Sequence, residues 1–163
     1  APLYDEPFLA AVPAAHPLAA QDSVTSEQLK NETMLLLGTG HCFRDHVLEV
    51  CPEFARYSSQ AEGIQKSFEG SSIETIKHMV AAGMGVTLVP RLSVPAEALC
   101  PPRRGKKDEG FVRYLPVVDE HGAPPPTRRV VLAWRRSFPR YEAIAALRNA
   151  VYACELPGVK RLS

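Results

Sequence analysis

Cys42 and Cys51 stand nine positions apart in the stretch GHCFRDHVLEVC, residues 40–51. A thiol can be a redox centre, a metal ligand or a small core residue, and the spacing helps to separate these uses. The stretch runs from Gly40 to just before Pro52 and reads as one helix over 41–50. On an intact helix nine residues advance about 13.5 Å and turn about 900°, so the two side chains fall on opposite faces. A disulfide needs Cα atoms within about 7 Å. Helix and bond therefore exclude one another. The pair cannot be a static staple, and it suits a switch in which bonding unwinds the segment.

Cys42 follows Gly38-Thr39-Gly40, at the first turn of a helix that begins just past a strand. Unpaired backbone N–H groups and the positive end of the helix suit an anionic sulfur, and His41 and Arg44 could add positive charge, depending on where their side chains point. A small core residue behind a strand is the other reading of Cys42, and local features leave both open. His41 with Asp45 and Cys42 with His46 are i, i+4 pairs, the spacing of two metal ligands on a helix. They lie on neighbouring stripes and would need further ligands from elsewhere, so no metal is expected. The Cys-x5-Arg loop of tyrosine phosphatases fails, because Leu48 stands where its Arg belongs.

A second candidate is EGSSIETIKHMVAAGMGVTLVP, residues 69–90. Ser71 and Ser72 open a helix, and hydroxyls beside unpaired N–H groups can receive an anion or carboxylate. Either serine can equally be a plain N-cap. The cluster RRGKK, residues 103–107, is flanked by Asp108 and Glu109 and reads as a solvated loop. Cys154 extends the apolar stripe of the last helix, which points to core or interface; Cys100 shows no role.

The elements that must carry these residues alternate strand and helix periods, the pattern of an α/β chain. Strands are expected over 8–12, 34–38, 64–68, 85–90, 111–118 and 128–134. Helices are expected at 26–29, 41–50, from Ser71 or Ser72 to Gly83, and from about Tyr141 to Cys154. In the third helix Ile73, Ile76, Met79 and Val80 form the buried stripe; in the last, Ile144, Leu147 and Val151. Residues 52–63 read as a variable insertion, 91–110 as loop and 119–127 as turn.

The chain has 163 residues, 45% hydrophobic and 23% charged, with net charge +1. That is ordinary for a soluble domain, gives no field for nucleic acid or an anionic membrane, and contains no membrane-length apolar run. Four scattered cysteines do not make a secreted disulfide framework, so a cytoplasmic location is expected. The chain starts at Ala1, almost inside a strand, as a piece of a longer protein would.

Two strings carry a family resemblance. SSIETIKHMVAAGMGVTLVP resembles the effector-domain signature of LysR-type transcriptional regulators: a hydroxyl and a Glu opening a helix, then V-x-x-G-x-G and a strand ending in Pro. GHCFRDHVLEVC is similar to the redox segment of that family's peroxide-sensing branch, in its G-H-C-x-R-D core and its step to the second cysteine. PLYDEPFLAAV is similar to the family strand that crosses into the second subdomain.

The resemblance spans nearly the whole chain. It implies a periplasmic-binding-protein-like fold with Rossmann-like subdomains. The second would occupy about 10–115, and a strand and helix over about 125–155 would return toward the first. It implies that hydrogen peroxide oxidises Cys42 and that Cys51 resolves the product to a disulfide. Gly40, His41, Arg44 and Asp45 would organise the peroxide pocket, with Arg44 and Asp45 as a candidate pair. No metal or organic cofactor is implied, and the protein would be a sensor rather than an enzyme.

The implied partners are hydrogen peroxide, further copies of the chain in a dimer or tetramer, RNA polymerase, and DNA through an N-terminal helix-turn-helix that this sequence lacks. The first part of the effector domain, which lends hydroxyls to the pocket, is also expected to be missing. Two other functions stay open: an effector domain that takes a small organic anion at Ser71 and Ser72, and a thiol peroxidase.

Overall fold

A computed structural model describes residues 1–52, 67–99, 110–118 and 124–162 of the chain. Its strands are β1 (Pro2–Pro13), β2 (Val24–Thr25), β3 (Met34–Leu37), β4 (Ser67–Gly70), β5 (Thr87–Pro90), β6 (Val112–Val118), β7 (Thr127–Val131) and β8 (Lys160–Arg161). Its α-helices are α1 (Ser26–Leu29), α2 (Cys42–Val50), α3 (Ile73–Ala81) and α4 (Tyr141–Ala153).

The organising element is β1. Residues 8–12 are buried without alternation, as befits a strand covered on both faces. β5 and β6 both pair antiparallel with residues 9–11, one on each edge. The first half of β1 carries Asp5 and Glu6 and lies outside the periodicity-based strand 8–12, although the family resemblance of PLYDEPFLAAV includes it. It is held extended by β7 and β8, which pair with Tyr4 and Asp5 from opposite edges. In the β7 register Asp5 faces Arg129 and Glu6 faces Arg128, so opposite charges meet across the ladder. β6 and β7, neighbours in sequence, each pair with β1.

The site-bearing part is a pair of parallel strands, β3 and β4, in register from Met34↔Ser67 to Leu37↔Gly70. β3 joins the β5 end of the main sheet through the parallel bridge Met34↔Val86, with Val86 N–H donating to Thr33 O at 2.9 Å and Leu35 N–H to Val86 O at 2.8 Å. Gly85 permits this approach: a Cβ there would lie 2.4 Å from the Thr33 carbonyl oxygen. Gly83, with φ +77, makes the left-handed turn that ends α3.

The helices follow their predicted faces where they meet the sheet. On α3, Ile76 and Val80 are buried, and Ile73 and Met79 pack half-buried against the core. α4 departs from expectation. No residue of it is buried, and Leu147 remains 50% exposed, together with Val131, Trp134, Phe138 and Tyr141 nearby in sequence. Its tie to the sheet includes Tyr152, whose hydroxyl donates to Pro2 O at 3.2 Å and Leu162 O at 2.9 Å. Cys154, expected in core or interface, is the exposed C-cap of this helix. It is not a core residue, because the stripe it continues is itself uncovered.

The expected loop after β5 contains two 3-10 turns, Arg91–Ser93 and Ala96–Leu99. The expected strand 64–68 is seen from Ser67 onward, and its earlier part lies outside the described residues, as do most of the 52–63 insertion, Cys100, the RRGKK cluster and residues 119–123.

Candidate redox site

α2 begins at the carboxyl end of β3. Gly40 adopts φ +95, a turn that side chains resist, and His41 occupies the N-cap without a side-chain cap bond. The helix closes when Cys51 N–H donates to Val47 O at 3.0 Å, and Pro52 cannot continue it. Cys42 is therefore the first helical residue and Cys51 the C-cap.

The helical spacing sorts the side chains as expected. Phe43 and Val47 face the core and Cys51 lies behind them, 0% exposed, whereas Cys42 is on the surface. No disulfide joins the two cysteines. Nine residues at about 1.5 Å each separate their backbones by about 13 Å, nearly twice what a disulfide allows. Burial of Phe43 and Val47 holds the helix down with about 1.5–3 kcal/mol each. Beneath it, among Phe43, Val47, Ile73, Ile76 and Leu88, the apolar void measures only ≈10 Å³, about the space of one water. Cys42 is reached from the outer face of α2, where it is exposed.

Gly40, His41, Cys42 and Asp45 surround the first turn and are all exposed. Arg44 turns the opposite way. The residue is 7% exposed, and its Nη1 donates to Leu37 O at 2.8 Å and to Glu69 Oε1 at 2.7 Å. The anticipated Arg44–Asp45 pair is thus replaced by Arg44–Glu69. Adjacent helix residues point about 100° apart, and only the residue directed inward reaches the end of β4. Glu69 was not singled out from sequence, since its one signal was a carboxylate preceding Gly70-Ser71-Ser72.

Ser71 and Ser72 lie beside this region. Because β3 and β4 are parallel, α2 and α3 both start at the carboxyl ends of adjacent strands, and Gly38 N–H donates to Gly70 O at 3.1 Å between the two turns. The two sequence candidates therefore share one edge of the sheet. Ser72 is the N-cap of α3: its Oγ accepts from Thr75 N–H at 3.1 Å and lies 3.0 Å from Thr75 Oγ1. Both serines are exposed.

A second charged network backs α2. Glu6 is 0% exposed; its Oε1 accepts from Leu92 N–H at 2.7 Å and its Oε2 from Arg128 Nε at 2.8 Å. The Arg128 guanidinium lies 5.5 Å from the Phe43 ring centroid, and Phe43 meets Phe8 edge-on at 5.4 Å. The His46 ring completes the cluster, 6.4 Å from both phenylalanines. Among the described residues no three His, Cys, Asp or Glu side chains gather as a metal site, and no helix is long and apolar enough to cross a membrane.

Comparison with known proteins places this geometry. The LysR substrate binding domain model matches residues 1–153. The chain is 37% identical over 147 residues to the DNA-binding transcriptional dual regulator OxyR of Escherichia coli (strain K12), a match covering 88% of this chain and 42% of that protein. It thus spans less than half the length of that curated relative. The reduced form of OxyR from N. meningitidis matches with a TM-score of 0.82 and 37% identity, over 100% of this chain and 68% of that one. An oxidised form of OxyR matches with a TM-score of 0.64 and 35% identity, over 94% and 63%.

Proposed function

Since the chain belongs to the LysR substrate-binding domain family, we propose that it is the hydrogen-peroxide-sensing part of a transcriptional activator, switched by a reversible Cys42–Cys51 disulfide. The observation that carries this reading is the placement of an exposed and a buried cysteine at the two ends of one helix. Relatives whose names refer to hydrogen-peroxide-inducible genes, and OxyR structures in reduced and oxidised forms, support it.

The chemistry balances in two steps. The Cys42 thiolate attacks one peroxide oxygen; the S–O bond forms, the O–O bond breaks, and hydroxide leaves to be protonated, giving the sulfenic acid. The Cys51 thiolate then attacks the Cys42 sulfur; the S–S bond forms, the S–O bond breaks, and the oxygen leaves as water. Two electrons pass from the thiols to peroxide. The second step requires residues 42–50 to leave the helical form and Cys51 to leave the core. That movement is the signal.

In this reading Gly40 shapes the turn before Cys42, and His41 and Asp45 border the sulfur from the outer face. Arg44 anchors the helix start to β3 and Glu69 while the thiols are reduced. The strand β7 and helix α4 return toward a first subdomain, and their exposed apolar side chains are where it packs. Further copies of the chain, DNA through a separate domain, and RNA polymerase are the partners of the whole regulator, which acts in the cytoplasm as a sensor rather than an enzyme.

Thiol mapping by mass spectrometry, before and after one equivalent of hydrogen peroxide, tests this. The expected result is a Cys42–Cys51 disulfide in the native sequence and a trapped Cys42 sulfenic acid in Cys51→Ser. Inert thiols here and in the full-length regulator would sink the reading. Tight binding of an organic carboxylate, unchanged by Cys42→Ser and lost on replacing Ser71 and Ser72, would favour an anion sensor. Consumption of peroxide far beyond one equivalent would favour a thiol peroxidase.

A further inference from the structure

We propose that His46 sets the redox poise of the Cys42–Cys51 pair by lacking a hydrogen bond in the helical, dithiol form; the proposal rests on the disulfide switch above. His46 lies one turn after Cys42 on α2. Its ring packs 6.4 Å from the centroids of both Phe8 and Phe43. Its Nδ1 is buried and has no hydrogen-bond partner among the described residues. The cation of the same cluster does not supply one, because Arg128 directs its guanidinium to the Glu6 carboxylate.

A ring nitrogen withdrawn from water without a partner carries a desolvation cost that an apolar side chain in the same place would not. This cost belongs to the helical state alone. Sulfur–sulfur bonding requires residues 42–50 to open, and opening lifts the ring off Phe8 and Phe43 so that Nδ1 reaches water. α2 therefore carries, close to its reactive end, a penalty that oxidation relieves. The disulfide is correspondingly easier to form than it would be on a fully satisfied helix. His46 is in this sense a positioning residue: it acts through the stability of the segment that keeps the two sulfurs apart.

The test is the thiol–disulfide equilibrium in glutathione buffers of graded ratio, with the Cys42–Cys51 disulfide quantified by mass spectrometry. The chain is compared with His46→Phe, His46→Leu and His46→Asn. Phe keeps a ring without nitrogens. Leu is the smaller apolar variant, should Phe overfill the site. Asn restores a polar atom near the place of Nδ1. Both apolar variants are expected to shift the equilibrium toward dithiol by about tenfold, which raises the reduction potential of this two-electron couple by about 30 mV; Asn is expected to give no such shift. A midpoint within about twofold of the native one in the folded Phe and Leu variants would overturn the proposal, and so would an equal shift with Asn. If the native chain forms no disulfide at any ratio, the switch itself fails and the poise with it. That result is distinct from a normal disulfide whose midpoint does not move.

Discussion

Cys42 and Cys51 bound the same nine-residue helix, yet Cys42 is exposed while Cys51 is 0% exposed. An accessible thiol and one beneath the helix differ in the opening free energy needed to reach them. Under native conditions an alkylating reagent should modify Cys42 at the rate of an open thiol and Cys51 only as fast as α2 opens. Peptide-level mass spectrometry must make the distinction, because Cys154 is exposed too. Equal rates for Cys42 and Cys51 would mean that α2 does not shield the second sulfur.

Arg44 ties the start of α2 to β3 and β4. Arg44→Met keeps much of the stem, removes the donor to Leu37 O and Glu69, and should cost the reduced protein about 2–3 kcal/mol in urea unfolding. Arg44→Lys should recover only part of that, since an ammonium lacks the planar fork. Glu69 is half-exposed, so Glu69→Gln should cost less, about 1 kcal/mol. A neutral Arg44→Met would show that burial of Phe43 and Val47 alone holds the helix.

Glu6 is the more demanding group, as a carboxylate with no solvent exposure. Among the described residues, Arg128→Ala leaves that charge with the Leu92 N–H alone, and it should destabilise by about 3 kcal/mol. Adding Glu6→Gln to Arg128→Ala should restore part of the loss, because no buried charge then remains. A double-mutant cycle by chemical denaturation measures the coupling, and simple additivity would refute it.

Asp5 gives the acid-side signature. A hydrogen bond from Arg129, aided by the charges of Arg129 and Lys160, holds its carboxyl below the ordinary carboxylate range. The folded value therefore lies under the unfolded one of about 3.9. The stabilisation is fully present above about pH 4 and is lost as pH falls through the folded value. Asp5→Asn should flatten the stability profile on that acid limb, and an NMR titration of the Asp5 carboxyl should show the depressed midpoint. A midpoint at the ordinary value would mean that the Asp5–Arg129 pair is not maintained in solution.

The redox helix was legible because its information is local. Gly40 and Pro52 mark where it starts and where it stops, and the nine-residue spacing alone puts the cysteines on different sides. The N-cap of α3 and the strand cores around Ala10, Leu36 and Leu88 were legible for the same reason. Periodicity alone did not reach the polar half of β1, which only the resemblance of PLYDEPFLAAV to a family strand included. The charges that stand opposite Asp5 and Glu6, on Arg129 and Arg128, lie 124 and 122 residues away.

That Cys42 and Cys51 cannot bond while the helix between them survives follows from the chain alone, since helix rise and turn depend only on separation along it. The tertiary structure alone decided that Arg44 answers to Glu69 rather than to its neighbour Asp45, and that the starts of α2 and α3 share one sheet edge. It alone decided that His46 keeps a buried nitrogen without a partner among the described residues. Each of these depends on which distant strand arrives beside the helix, and that is set by the pairing of β3 with β4 and of β1 with β7, contacts that no local periodicity encodes.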